Sequence, residues 1–161
     1  GASERHTSKF QHWDMVFLGY KCNMSDIQAS LLIPQLKTIE KNLQARENIC
    51  MKYEKALFDL NGVKFPKVLK NTKHARHLFT VWVDPENRDK IIYKLQSANI
   101  GVTVNYRPIH LLSYYKNTFG YSRGVFPNAE KIGDSTISLP MYPKMTNTEI
   151  KYVISVIKNA I

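Results

Sequence analysis

The sequence predicts an α/β chain of the α+β kind: a long helical arm, then a small three-stranded sheet covered by helices. Three observations carry this reading. Apolar residues recur at helical spacing from Ile27 to Leu60. Three short β-branched or aromatic runs follow, at 77–83, 102–106 and 136–139. Helix-start signals stand at Ser25, Asp84 and Thr146.

Ser25-Asp26-Ile27-Gln28 has the form of a capping box, in which the side chain at each end satisfies a free amide of the other. Behind it Ile27, Leu31, Leu32, Leu36, Ile39, Leu43, Tyr53, Leu57 and Leu60 predict one long helix over 26–60, or two in series. Pro34 removes one ladder bond and predicts a kink, and Asn61-Gly62 ends the element. Residues 63–75 read as a loop, and 77–83 as a buried strand. Asp84-Pro85 then gives a cap followed by proline at the first helical position, with Ile91, Ile92, Leu95 and Ala98 inward. Gly101 is expected to close the turn into a second strand, 102–106, making a unit the size of a βαβ crossover. A short helical stretch is expected around 111–115, a loop over 119–127 and another short helix from Asn128. Thr136–Leu139 is the third strand, and the Thr146–Glu149 capping box starts a final helix with Ile150, Val153, Ile154 and Ile157 inward.

Bulk properties narrow the function classes. The 161 residues suit one domain, or one domain with an arm. No apolar run approaches the ~20 residues that span a bilayer, and the N-terminus lacks a signal-peptide core, so the expectation is a soluble, cytoplasmic protein. Cys22 and Cys50 stand far apart with no CxxC spacing, which predicts free thiols and gives no support for zinc. The formal charge of +10 admits nucleic acid, a membrane surface or small anions as partners. Its lysines are dispersed, the pattern of a solvated surface.

Function comes from resemblance. Gly19-Tyr20-Lys21-Cys22-Asn23-Met24-Ser25-Asp26-Ile27-Gln28-Ala29 resembles a signature of the DegT/DnrJ/EryC1/StrS sugar aminotransferases, at the entrance of a long helix. Further blocks resemble the family in register: His74-Ala75-Arg76-His77-Leu78-Phe79, then Val104 to His110 with Tyr114-Tyr115, Pro127-Asn128-Ala129-Glu130, and Ser138 to Pro143. The resemblance implies the C-terminal domain of a fold-type I aminotransferase. Its parent would hold pyridoxal 5'-phosphate on a lysine and form a homodimer with each active site at the subunit boundary. In the family that lysine lies upstream of the signature. Here only 18 residues precede Gly19, and Lys9 stands in a different context. The expectation is therefore the C-terminal portion of the enzyme, without a catalytic residue and inactive alone. It divides into 1–24 (a remnant of the active-site segment), 25–62 (the arm) and 63–161 (the small domain).

The resemblance implies that Asn23 reaches the cofactor phosphate of the partner subunit, which agrees with the preference of a helix start for anions. The plainer reading is that Asn23 only caps the helix. Lys21 is a second cofactor-binding candidate, or a surface lysine. His110 lies on the segment that lines the nucleotide-sugar pocket in relatives, and is either a substrate contact or a structural histidine. Arg107 has forked donors for a diphosphate, or is a surface residue. Tyr20 stands beside Asn23 and is the third substrate candidate. Tyr106, Tyr114 and Tyr115 are read as core and rim packing, and His74 and His77 as structural, with no third ligand for a metal. The implied substrates are a nucleotide-linked keto-deoxysugar and an amino donor such as glutamate, in cell-surface polysaccharide synthesis. The alternative is a stand-alone basic module that stacks RNA bases on Phe79, Trp82 and Tyr106. No RNA-binding signature accompanies those strands, so neither nucleic acid nor membrane is expected as a partner.

Overall fold

The structure is a computed structural model that describes Tyr20 and residues 23–161. Residues 1–19, Lys21 and Cys22 lie outside the described residues. The chain divides into two compact units, Gly1–Ile39 and Glu40–Ile161.

Helix α1 (Asp26–Leu57) begins in the first unit and ends in the second, one helix rather than two in series. Its start is the predicted capping box. The Gln28 amide donates to Ser25 Oγ at 3.3 Å, and the Ser25 amide to Gln28 Oε1 at 3.0 Å. In the first unit the apolar side chains of α1, Ile27, Leu31 and Leu36 among them, are exposed.

The second unit holds the core. Ile49, Cys50, Tyr53 and Leu57 share one face of α1 and are buried, as spacings of one, four and eight along a 3.6-residue repeat require. Tyr53 satisfies its hydroxyl by donating to the Pro140 carbonyl at 2.9 Å, so its ring packs without an orphaned polar atom. Strands β1 (Phe79–Trp82) and β2 (Thr136–Leu139) pair antiparallel, Phe79 opposite Leu139 and Trp82 opposite Thr136. Helix α2 (Pro85–Ser97) starts where Asp84 accepts from the Glu86 amide at 3.0 Å, and it buries Ile91 and Leu95. A 3₁₀ turn (Ile109–Leu111) precedes α3 (Ser113–Phe119) and α4 (Pro127–Ser135). Helix α5 (Asn147–Ala160) opens on both bonds of the Thr146–Glu149 box and buries Ile150, Val153, Ile157 and Ala160. Each fully buried aliphatic side chain of this core contributes about 1.5–3 kcal/mol relative to exposure.

Three expectations are corrected. Among the described residues the sheet has two strands, not three. Residues 102–106 supply a single antiparallel bridge, Thr103 to Ser138, because the chain turns at Asn105–Tyr106 ahead of Pro108. Among the described residues the expected βαβ crossover is accordingly not formed. Lys64, placed in a loop by the sequence, makes the matching bridge to Trp82 on the other edge. The turn after α2 takes its left-handed residue at Asn99 (φ 57°), not Gly101, since asparagine tolerates that region.

Candidate functional site

The helix entrance belongs to the first unit. Ser25 and Gln28 satisfy each other, so the cap is complete without Asn23. Asn23 is exposed ahead of the N-terminus of α1, and Tyr20 is 94% exposed. Asp26 sits in the first turn and already answers part of the positive dipole end. Asn23 takes no part in the cap. Lys21 lies outside the described residues.

Arg107 and His110 belong to the second unit. The exposed Arg107 adds positive potential at Asp134, whose carboxyl is held below its usual range chiefly by the hydrogen bond from Arg123, against burial. His110 is buried on the 3₁₀ turn, its Nε2 2.9 Å from Glu130 Oε1. Glu130 is itself buried, on α4. It accepts from the Gly124 amide at 2.8 and 3.0 Å and from the Phe126 amide at 3.3 Å. Burial works to raise the Glu130 carboxyl, and the His110 ring with the two amides more than reverses it, leaving the group below its ordinary value. The carboxylate is thus ionised and accepts only, so His110 carries its hydrogen on Nε2. One buried carboxylate ties the Arg107–His110 segment to the loop between α3 and α4.

That loop carries rings in sequence. Phe126 meets the His110 ring edge-on at 4.9 Å and Tyr121 at 5.7 Å. Tyr121 reaches Phe119 at 5.7 Å, and Phe119 stacks on Tyr115 at 6.0 Å. Tyr115 touches Tyr114 at 5.5 Å. Tyr106 and Tyr114, read from the sequence as packing residues, are 66% and 68% exposed. Phe79, offered for base stacking in the alternative reading, is buried between Tyr53 and Phe65 at 5.0 and 5.9 Å. No stacking platform forms on it.

Two charged centres escaped the sequence reading. Glu130 is one: the P-N-A-E block is legible, but the pairing of its glutamate with a histidine 20 residues earlier is not. Arg76 is the other. It is buried and grips Glu47 through Nε at 2.7 Å and Nη2 at 2.8 Å, and Glu54 through Nη1 at 2.9 Å. The two acids stand seven apart on α1, which puts them on one face. Hydrogen bonding to Glu47 raises the Arg76 pKa despite burial, and the same bond holds Glu47 below its usual value. His74 Nδ1 accepts from the Arg76 amide at 2.9 Å, a structural role of the kind expected for it. Among the described residues no group of three potential ligands could hold a metal, and no helix is long and apolar enough to cross a membrane.

The fold is that of a sugar-aminotransferase domain. It matches the PLP-form of the putative sugar aminotransferase Spr1654 from Streptococcus pneumoniae with a TM-score of 0.80 and 33% identity, over 92% of this chain and 38% of that one. The model of the DegT/DnrJ/EryC1/StrS aminotransferase family matches residues 1–158, and the chain belongs to that family. The spore coat polysaccharide biosynthesis protein SpsC of Bacillus subtilis is 36% identical over 89% of this chain and 38% of its own length. A UDP-4-amino-4,6-dideoxy-N-acetyl-beta-L-altrosamine transaminase of Campylobacter jejuni is 32% identical over 87% of this chain and 38% of its own length. The chain thus spans about two fifths of the length of the curated relatives it matches.

Proposed function

We propose that this chain is the C-terminal portion of a pyridoxal-phosphate-dependent aminotransferase that aminates a nucleotide-linked keto-deoxysugar, with glutamate as the usual donor, for cell-surface polysaccharide synthesis. The observation that carries the proposal is the helix entrance: Asn23 is exposed and left out of a complete Ser25–Gln28 cap, in the block that resembles the family signature. The amide fits one oxygen of a phosphate, and Lys21 is the second group for it. Bound pyridoxal phosphate supplies the electron sink for amino transfer, and the lysine that holds it lies outside this chain. This chain's residues bind and orient. Asn23 and Lys21 fix the phosphate of the neighbouring subunit of a homodimer, while Arg107, His110 and Tyr20 contact the nucleotide sugar. Residues 1–24 are a remnant of the active-site segment, 25–62 the arm and 63–161 the small domain, in a cytoplasmic enzyme.

The test is production of the complete reading frame that contains this chain, with pyridoxal phosphate content and glutamate-dependent amination of nucleotide-linked keto sugars followed by mass spectrometry. Asn23→Ala is expected to lower cofactor affinity about tenfold, the loss of one charge-assisted hydrogen bond, with an unchanged melting profile of the apoprotein. A complete protein that neither binds the cofactor nor transfers nitrogen refutes the reading. So does a cofactor held covalently on a lysine of the 161-residue chain alone.

A further inference from the structure

A cavity of about 550 Å³ opens in the second unit between the β1 edge, the start of α2 and one face of α4, lined by Lys64, Trp82, Pro85, Asn128, Lys131 and Ile132. That volume is in the range of small-molecule sites. Its polar groups divide into two sets. Asp84 caps α2 through the Glu86 amide, and Ser135 donates to the Lys131 and Ile132 carbonyls, so both are committed to the fold. Lys64 and Lys131 form no ion pair among the described residues, and no hydrogen bond there engages the Asn128 amide. The backbone of Lys64 is nonetheless fixed. Its amide donates to the Trp82 carbonyl at 2.9 Å and its carbonyl accepts from the Trp82 amide at 2.6 Å, so the bridge holds a lysine beside an indole. Trp82 is half-buried, flanked by Val83 and Pro85. Two lysines against one aspartate leave the lining with a net charge of +1 (two minus one).

We propose that this cavity binds a small aromatic monoanion, its ring against Trp82 and its negative group held by Lys64 and Lys131, with Asn128 as a neutral donor. A ring fills apolar volume and gains from the indole face, while a carboxylate or singly charged phosphate ester neutralises the lining. A neutral ring forgoes the second gain, and a cation opposes it. The site uses none of the residues assigned to the cofactor or the sugar, so its fate is independent of the aminotransferase reading.

The 161-residue chain with Trp13→Phe has one indole, Trp82, whose N–H resonance is followed in a ¹H–¹⁵N spectrum. Three probes of one shape are titrated: 2-naphthoate, (2-naphthyl)methanol and (2-naphthyl)methylammonium. The expected result is a saturable shift with 2-naphthoate at a Kd of about 1 mM or tighter, on the order of 0.3 kcal/mol per heavy atom. The alcohol binds at least fivefold more weakly, and the ammonium does not saturate. Lys64→Met with Lys131→Met weakens 2-naphthoate about five- to tenfold and leaves the alcohol unchanged. Both lysines are exposed, so the double variant keeps the fold, and an unchanged melting temperature confirms it. Equal affinities for the three probes, no saturable shift at all, or an unchanged 2-naphthoate affinity in the double variant would overturn the proposal.

Discussion

Replacing Gly133 by alanine tests how α4 seats the segment that carries Arg107 and His110. Gly133 is buried in the interior of α4. A Cβ built there stands 2.5 Å from Pro108 Cδ, 2.8 Å from Pro108 Cγ and 3.0 Å from the Pro108 nitrogen, where ordinary contact begins at 3.4 Å. The obstacles are atoms of a closed ring and the backbone, which cannot rotate away, so α4 and Pro108 must separate by about 0.9 Å, the difference between 3.4 and 2.5. Overpacking of this kind costs about 1–3 kcal/mol. Alanine returns about 0.5–1 kcal/mol through its better helix propensity. The net loss is about 0–2.5 kcal/mol, and the rigidity of the obstacle places it in the upper part, about 1–2.5 kcal/mol. Melting followed by circular dichroism then falls by about 2–10 °C. The His110 ring resonances are expected to shift as well, because Glu130 lies on the same helix 2.9 Å from Nε2. The control is Gly101→Ala, where a Cβ meets nothing within 4 Å, and stability is expected to hold or rise slightly. A Gly133→Ala protein melting at or above the parent temperature refutes the packing argument.

Two other expectations concern ionisation. Arg76→Met removes the cation that grips Glu47 and Glu54, and is expected to destabilise the protein at neutral pH. Glu47 is held below its ordinary 4.5 in the folded state, so its contribution is present above that pH and is lost as pH falls through the folded value. The gap in melting temperature between parent and variant is therefore widest above about pH 6 and closes below 4.5; a gap constant from pH 7 to pH 3 contradicts it. For Cys50, burial pushes the thiol from 9.0 to about 11, which at pH 8 leaves about a hundredth of the ordinary thiolate. In a Cys22→Ser background, disulfide-exchange labelling of Cys50 is expected to be at least about a hundredfold slower in buffer than in denaturant, and comparable rates would show that the thiol is open to solvent.

Much of the fold was legible because its signals are local. The Ser25 and Thr146 boxes, the Asp84-Pro85 start and the strand at Thr136–Leu139 each depend on residues within four positions, and the structure places each where the pattern put it. What failed depends on partners distant in sequence. Val102 to Tyr106 has strand composition, but a ladder needs a neighbour along its whole length, and Ser138 offers Thr103 one pairing before the turn. The pairing of Arg76 was not legible, because its partners Glu47 and Glu54 stand 29 and 22 residues away. At the candidate site, the capping box behind Asn23 was legible because its two partners stand three positions apart. The burial of His110 against Glu130 was not, because nothing in Pro108-Ile109-His110 marks the ring for the interior.

The single bridges at Lys64 and Thr103 have a bearing on self-association. Groups along a strand alternate in direction, so on the outer sides of this ladder Thr80 and Trp82 face one way, Thr136 and Ser138 the other. Trp82 is occupied by Lys64 and Ser138 by Thr103, which leaves one outward-turned residue on each side. A stranger's strand would find too short a template to zip onto, and two brief stubs guard against edge-to-edge polymerisation without lengthening the sheet.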